Sequence, residues 1–228
     1  MSCDIIFTWL QQQLPGYQFL CSDFSARDLA LLQEADTITE EQVLSAAALG
    51  LNPEQIYFSG PGKEKADLRR LFGTCRFVAN SWDELHQIDR AARLHRKEDL
   101  LEAVGLRVIP EHYNDGRQLG IPEKTLPDLA QKMKTLPAVS VRGCFIQGQI
   151  EGLHGEALGR YFRECYELAK RITVILPCGM PYLCIVNGAE AACQNAAEHP
   201  ETVSTFFHQA EIVAAQNQTA FYAKLLIT

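Results

Sequence analysis

Positive charge is what this sequence has least of. It carries 21 Lys and Arg against 28 Asp and Glu, a net charge of -7, and no lysine at all before Lys63. No basic stripe offsets the deficit, so a nucleic-acid-binding face is excluded, because phosphate neutralisation needs clustered cations. No apolar run reaches the roughly 18 residues of a membrane span. The opening MSCDIIFTWLQQQ lacks a basic n-region, and its apolar stretch is too short for a signal peptide. There is no Cys-x-x-Cys pair, although eight cysteines are present, at positions 3, 21, 75, 144, 165, 178, 184 and 193. Several sit in apolar runs, which predicts mostly buried thiols in a reducing cytoplasm. Gly-x-Ser-x-Gly, His-Glu-x-x-His and the dinucleotide glycine fingerprint are all missing, as are internal repeats and low-complexity linkers. No self-contained catalytic motif remains.

What is present suits one large domain. In 228 residues, 47% are hydrophobic, enough for a full core, and 21% are charged, too few for wholesale disorder. Helix-like and strand-like segments alternate along the chain. Helices are predicted over 4–13, 25–34, 40–49, 63–72, 82–95, 125–135 and 156–171. Strands are predicted over 17–21, 37–39, 55–59, 76–79, 105–109, 139–146 and 173–176. Ser81 caps the helix over 82–95, with Glu84 in the capping-box position. Residues 110–120 form a long polar loop. Residues 189–210 read as one or two helices broken near His199-Pro200, and 219–228 as a final β segment.

This βα alternation, repeated about seven times with short connections, implies parallel strands joined by right-handed crossovers. In this length it favours a TIM-like (β/α)8 barrel, with room for incomplete or distorted closure, over an open doubly wound sheet. Ligand sites in such barrels lie at the carboxyl ends of the strands. That singles out loops 20–24, 59–63, 79–82, 109–120, 145–154 and 177–188.

Each polar feature in these loops has a bland reading beside a functional one. Gly60-Pro61-Gly62-Lys63 could present N–H groups to a phosphate, or be a tight βα turn. Arg107, inside a strand, must be paired if it points inward, either with a carboxylate or with an anionic ligand. Glu111, His112, Asp115 and Arg117 share one loop, where solvation alone would also place them. Cys178 and Cys184 would need two further ligands, such as His199 and His208, to hold a metal, and no metal is expected.

Several collinear stretches resemble the barrel domain of the pyridoxal-phosphate-dependent decarboxylases of fold type III. These are the diaminopimelate, ornithine and carboxynorspermidine decarboxylases, related in fold to alanine racemase. Residues 49–63 (LGLNPEQIYFSGPGK), 77–85 (FVANSWDEL), 105–111 (GLRVIPE) and 117–121 (RQLGI) look like successive family segments, and 211–228 resembles the stretch leading into the family's second, β-rich domain. The resemblance implies a barrel over 1–210, with 211–228 a remnant of the missing domain.

The family's functional positions are altered in this sequence. The Schiff-base lysine ends a Tyr-Ala-Val-Lys-like run, which here reads Tyr17-Gln18-Phe19-Leu20, so Leu20 replaces it. The histidine-bearing strand reads Gly143-Cys144-Phe145-Ile146-Gln147. The triple-glycine phosphate turn falls near Pro177-Cys178-Gly179-Met180, and the Glu-Pro-Gly-Arg motif at His208-Gln209-Ala210-Glu211.

The resemblance therefore implies a degenerate, non-catalytic scaffold that binds a partner or a small molecule. No cofactor is expected. The candidate pocket is Arg107, Glu111, His112, Arg117, Gln147 and Cys178. The expected partner is a second copy or a decarboxylase-like subunit. The alternative is an active decarboxylase- or racemase-like lyase acting on an amino acid or polyamine precursor. It would hold pyridoxal phosphate non-covalently or through another lysine such as Lys63, or draw on a thiol such as Cys144 or Cys178.

Overall fold

A computed structural model describes residues 18–19, 30–32, 40–48, 52–53, 56–59, 63, 68–95, 101–176, 182–185, 208, 212 and 224–227. The chain order is β1 (Gln18–Phe19), β2 (Ala30–Leu32), α1 (Glu40–Ala48), β3 (Ile56–Phe58), α2 (Leu68–Leu71), β4 (Arg76–Ala79), α3 (Trp82–His95) and β5 (Glu102–Ile109). It continues with β6 (Ile121–Pro122), α4 (Leu126–Met133), β7 (Val139–Ile146), α5 (Gly155–Ile175), β8 (Tyr182–Ile185) and β9 (Lys224–Ile227). Short 3-10 turns at Glu111–Tyr113 and Glu123–Thr125 lie between β5 and α4.

All the strands join one parallel sheet in the order β1-β9-β8-β7-β5-β4-β3-β2, with the short β6 also on β5. The last strand pairs with the first, Gln18 opposite Leu226, so neighbours in the sheet follow a cyclic chain order. Parallel neighbours need crossovers, and the helices supply them.

Alternation along the strands separates two faces. Ile56, Phe58, Phe77, Ala79, Val104, Leu106, Val108, Val139, Val141, Cys144 and Ile146 pack in one buried cluster with Leu85 and Ile88 of α3, Leu126 and Leu129 of α4, and Leu158, Phe162 and Cys165 of α5. The opposite face carries Tyr57, Val78 and Phe145, all buried, with the Tyr57 and Phe145 rings 5.4 Å apart. The β5–β7 register slips by one residue: Val104 faces Val141, but Gly105 faces Gly143. Arg142 is the extra residue of this bulge, and its side chain is exposed.

The predicted bounds of β4, α3 and β7 match the structure. Ser81 Oγ accepts the Glu84 N–H at 3.1 Å, the first half of the predicted capping box. Two elements are corrected. Residues 25–34 read as helix from their Ala, Leu and Arg content, but Ala30–Leu32 is a strand in register with Ile56–Phe58. Sheet pairing there overrides helix propensity. Residues 173–176 read as strand from the β-branched run Thr173-Val174-Ile175, yet α5 continues through Ile175. Ile172 extends the buried stripe of Leu158, Phe162, Cys165 and Ala169, and Val174 is left 85% exposed. The strand that follows is β8. The predicted helix 4–13, strand 37–39 and helix break near residue 199 lie outside the described residues.

Candidate functional site

At the carboxyl ends of β3, β4, β5 and β7, the face opposite the main core turns polar. Alternation puts Ser59 after β3, Asn80 after β4, Arg107 near the end of β5 and Gln147 after β7 on that face. Ser59, Asn80 and Arg107 are all buried, as is Lys63 in the β3–α2 connection.

Lys63 is the hub. Its Nζ lies 3.1 Å from Glu84 Oε2, donates to the Ser59 carbonyl at 3.4 Å and stands 4.8 Å from the Phe58 ring centroid. Asn80 ties the same groups together: Nδ2 donates to the Ser59 carbonyl at 2.8 Å and to Glu84 Oε2 at 2.9 Å, and its backbone N–H reaches Glu84 Oε2 at 2.9 Å. Burial pulls the Lys63 ammonium down to about 8 from its ordinary 10.5. The Glu84 carboxylate works against that fall, and the Arg107 charge adds to it. Glu84 is therefore a shared acceptor that fastens the start of α3 to the β3 loop.

Two polar atoms of this layer, Ser59 Oγ and Gln147 Oε1, are buried without a hydrogen-bond partner among the described residues. Gln147 is held through its backbone, whose N–H donates to the Val108 carbonyl at 3.0 Å. Buried groups of this kind call for a water, an ion or a ligand.

Of the residues singled out in the sequence, Arg107, Gln147 and Lys63 fall in or beside this layer. Glu111, His112 and Arg117 do not join them. His112 Nδ1 lies 3.2 Å from Glu164 Oε2 on α5, the Glu111 N–H donates to Glu123 Oε2 at 3.1 Å, and Arg117 pairs with Asp115 at 2.6 Å, all at exposed positions. That loop thus organises itself and docks on α5. Cys144 is buried on the helix-facing side, within the main core. Cys75 and Cys165, elsewhere in the same cluster, are buried free thiols, and burial pushes both up, Cys75 to about 12. His208 is exposed. Leu20, Cys178 and His199 lie outside the described residues, as does the side chain of Cys184. Among the described residues, no group of three His, Cys, Asp or Glu could hold a metal, and no helix is long and apolar enough to cross a membrane.

Ser59, Asn80 and the Lys63–Glu84 bridge were not read as site features from the sequence. The signal for Ser59 and Asn80 was available: each follows its strand by one residue, on the side that alternation turns away from the core. Glu84 was recognised only as a capping residue.

No family model matches the chain, and no curated protein matches it in sequence. Solved structures do match it. Arginine decarboxylase of Paramecium bursaria Chlorella virus has a TM-score of 0.67 at 11% identity, over 99% of this chain and 60% of that one. Diaminopimelate decarboxylase of Helicobacter pylori, in complex with L-lysine, has a TM-score of 0.69 at 13% identity, again over 99% and 60%. Lysine decarboxylase of Selenomonas ruminantium has a TM-score of 0.64 at 12% identity, with the same coverage. The chain spans about three fifths of the length of these enzymes. At such identities the likeness is one of fold, and in fold the chain resembles the barrel domain of the pyridoxal-phosphate-dependent decarboxylases.

Proposed function

We propose that this chain is a non-catalytic relative of the decarboxylase barrels and serves as a binding scaffold. The observation that carries this reading is the condition of its amines. Imine formation needs an amine that is unprotonated and reachable. Leu20 stands where the family's lysine would be, and Lys63, the first lysine in the chain, is enclosed and engaged by Glu84, the Ser59 carbonyl and the Phe58 ring. These residues do not fit a covalently held pyridoxal phosphate.

The polar layer is what such a scaffold would use. Ser59 Oγ and Gln147 Oε1 offer hydrogen-bonding capacity beside the cations Lys63 and Arg107. That combination suits a small carboxylate- or phosphate-bearing molecule that also has a hydrogen-bond donor. The macromolecular partner is a second copy of the chain or a full-length decarboxylase-like subunit, whose additional two fifths this chain does not match.

One observation favours the second reading, an active lyase with a relocated site: Lys63 is held near 8, where a useful fraction is unprotonated at neutral pH. A single experiment separates the two. The purified protein is mixed with pyridoxal phosphate, scanned for the visible aldimine band, reduced with borohydride and mapped by mass spectrometry. The scaffold reading expects no band and no adduct at Lys63, and a reducible band mapping to Lys63 overturns it. Light scattering of the chain, alone and mixed with a decarboxylase, tests the partner; a stable monomer in both removes that half of the proposal.

A further inference from the structure

The loops after β4 and β5 enclose a cleft of about 300 Å³ between the start of α3 and the length of α4. Its wall depends on Gly120, which sits at φ +147°. A Cβ there would come within 3.0 Å of Ile109 Cγ1 and 3.2 Å of the Arg107 carbonyl, so only glycine lets this segment lie against β5. One side of the cleft is the Trp82 indole. The other is a face of α4 bearing Asp128, Leu129 and Lys132.

The two charges on that face are one helical turn apart, at i and i+4, a spacing that commonly pairs opposite charges. Here they do not pair. Lys132 Nζ stands over the Trp82 ring, 5.6 Å from its centroid, and Asp128 is exposed with no ionic or hydrogen-bonding partner among the described residues. An acid and a base thus border the same cleft, separated, with an aromatic wall and the buried Leu129 between them. The volume lies at the small end of ligand pockets, which fits roughly a dozen heavy atoms.

We propose that this cleft binds a small zwitterion with an apolar or aromatic body. Its ammonium sits at Asp128, its carboxylate at Lys132, and its body against Trp82 and Leu129. A molecule with one charge would satisfy one rim residue and leave the other facing only water. The cleft meets the Lys63–Glu84 network at Asn80 but uses neither of those charges, so failure here leaves the scaffold reading standing.

The test uses three probes on the full chain, followed by calorimetry or ligand-observed NMR: L-phenylalanine, phenethylamine and 3-phenylpropionate. L-phenylalanine is expected to saturate with a Kd on the order of millimolar, tighter than either one-charge analogue. Asp128→Asn should weaken L-phenylalanine and phenethylamine about three- to tenfold and leave 3-phenylpropionate unchanged. Lys132→Gln should do the converse. Both changes are at exposed positions, and a melting temperature equal to that of the unmodified chain verifies folding. The proposal is overturned if L-phenylalanine fails to saturate up to about twenty times the expected Kd, or if both variants leave all three affinities unchanged.

Discussion

Replacing Lys63 by methionine removes the buried ammonium and keeps most of the aliphatic volume. In the folded chain this amine is held at about 8, against an ordinary 10.5. Each unit of that difference corresponds to about 1.4 kcal/mol, so the folded state disfavours the charged form by about 3 kcal/mol. Between about pH 8 and pH 10.5 the unfolded chain binds more protons than the folded one, and stability rises with pH. The contribution is fully present above the unfolded value and is lost as pH falls through the folded one. From about pH 7 to about pH 10 the gain integrates to roughly 2–3 kcal/mol. Cys75 acts in the opposite sense from about pH 9 upward, because its folded thiol is pushed up to about 12 and the unfolded chain loses that proton first. Burial, its largest cause, acts on Cys75 in both proteins and cancels in their difference, leaving only the lesser, opposing pull of the Lys63 charge. Urea unfolding followed by circular dichroism at several pH values gives the measurement. The stability of the unmodified chain relative to Lys63→Met should climb by roughly 2–3 kcal/mol over this range. A flat difference would refute the desolvated amine.

Three other perturbations test the packing around the site. Gly148→Ala would place a Cβ 2.6 Å from Tyr113 Cβ and 2.8 Å from Tyr161 Cε2, and should cost about 1–3 kcal/mol in urea unfolding. Asp89→Ala strips a fully buried carboxylate that accepts the Ala138 N–H at 2.8 Å and lies 2.9 Å from Arg93 Nε; a loss of about 1–3 kcal/mol is expected, and a smaller one for Asp89→Asn, which keeps the acceptor. Ser81→Ala removes the cap on the Glu84 N–H and should lower stability by about 1 kcal/mol, read as a drop in melting temperature.

How far the fold is legible in the sequence depends on how local its causes are. β7 is rich in apolar and β-branched residues, and α3 has both a cap and an amphipathic stripe, so their signals lie within a few residues and the bounds agree. The strand at Ala30–Leu32 carries no such signal: its residues favour helix, and what makes it a strand is β3, some 26 residues away. The end of α5 fails for the opposite reason. Thr173-Val174-Ile175 has local strand character, but Ile172 is committed to the core on a helical period. The site divides in the same way. Arg107 stands out because a charge inside a strand is conspicuous, whereas Gln147 enters only through the resemblance, at the end of the stretch where the family carries its histidine. The bridge from Lys63 to Glu84 joins the β3–α2 connection to the first turn of α3, whose proximity comes from the parallel pairing of β3 and β4 and is encoded by neither segment alone.

The bulge in β7 does more than bend a strand; it changes the phase of the sequence. Before it, the odd-numbered Val139 and Val141 point into the helix-facing core. After it, the even-numbered Cys144 and Ile146 do. By absorbing Arg142, the bulge keeps Phe145 opposite Arg107 and leaves Phe145 and Gln147 on the side of the polar layer. Deleting that residue would remove the bulge and leave both faces as they are, whereas straightening the strand with Arg142 kept in the ladder would exchange the two faces of its carboxyl end. In that straightened strand Cys144 would face the polar layer, and the Gln147 amide would be driven against the helices. The chemistry that this side of the sheet can present is thus set by where one strand bulges as much as by the identity of its residues.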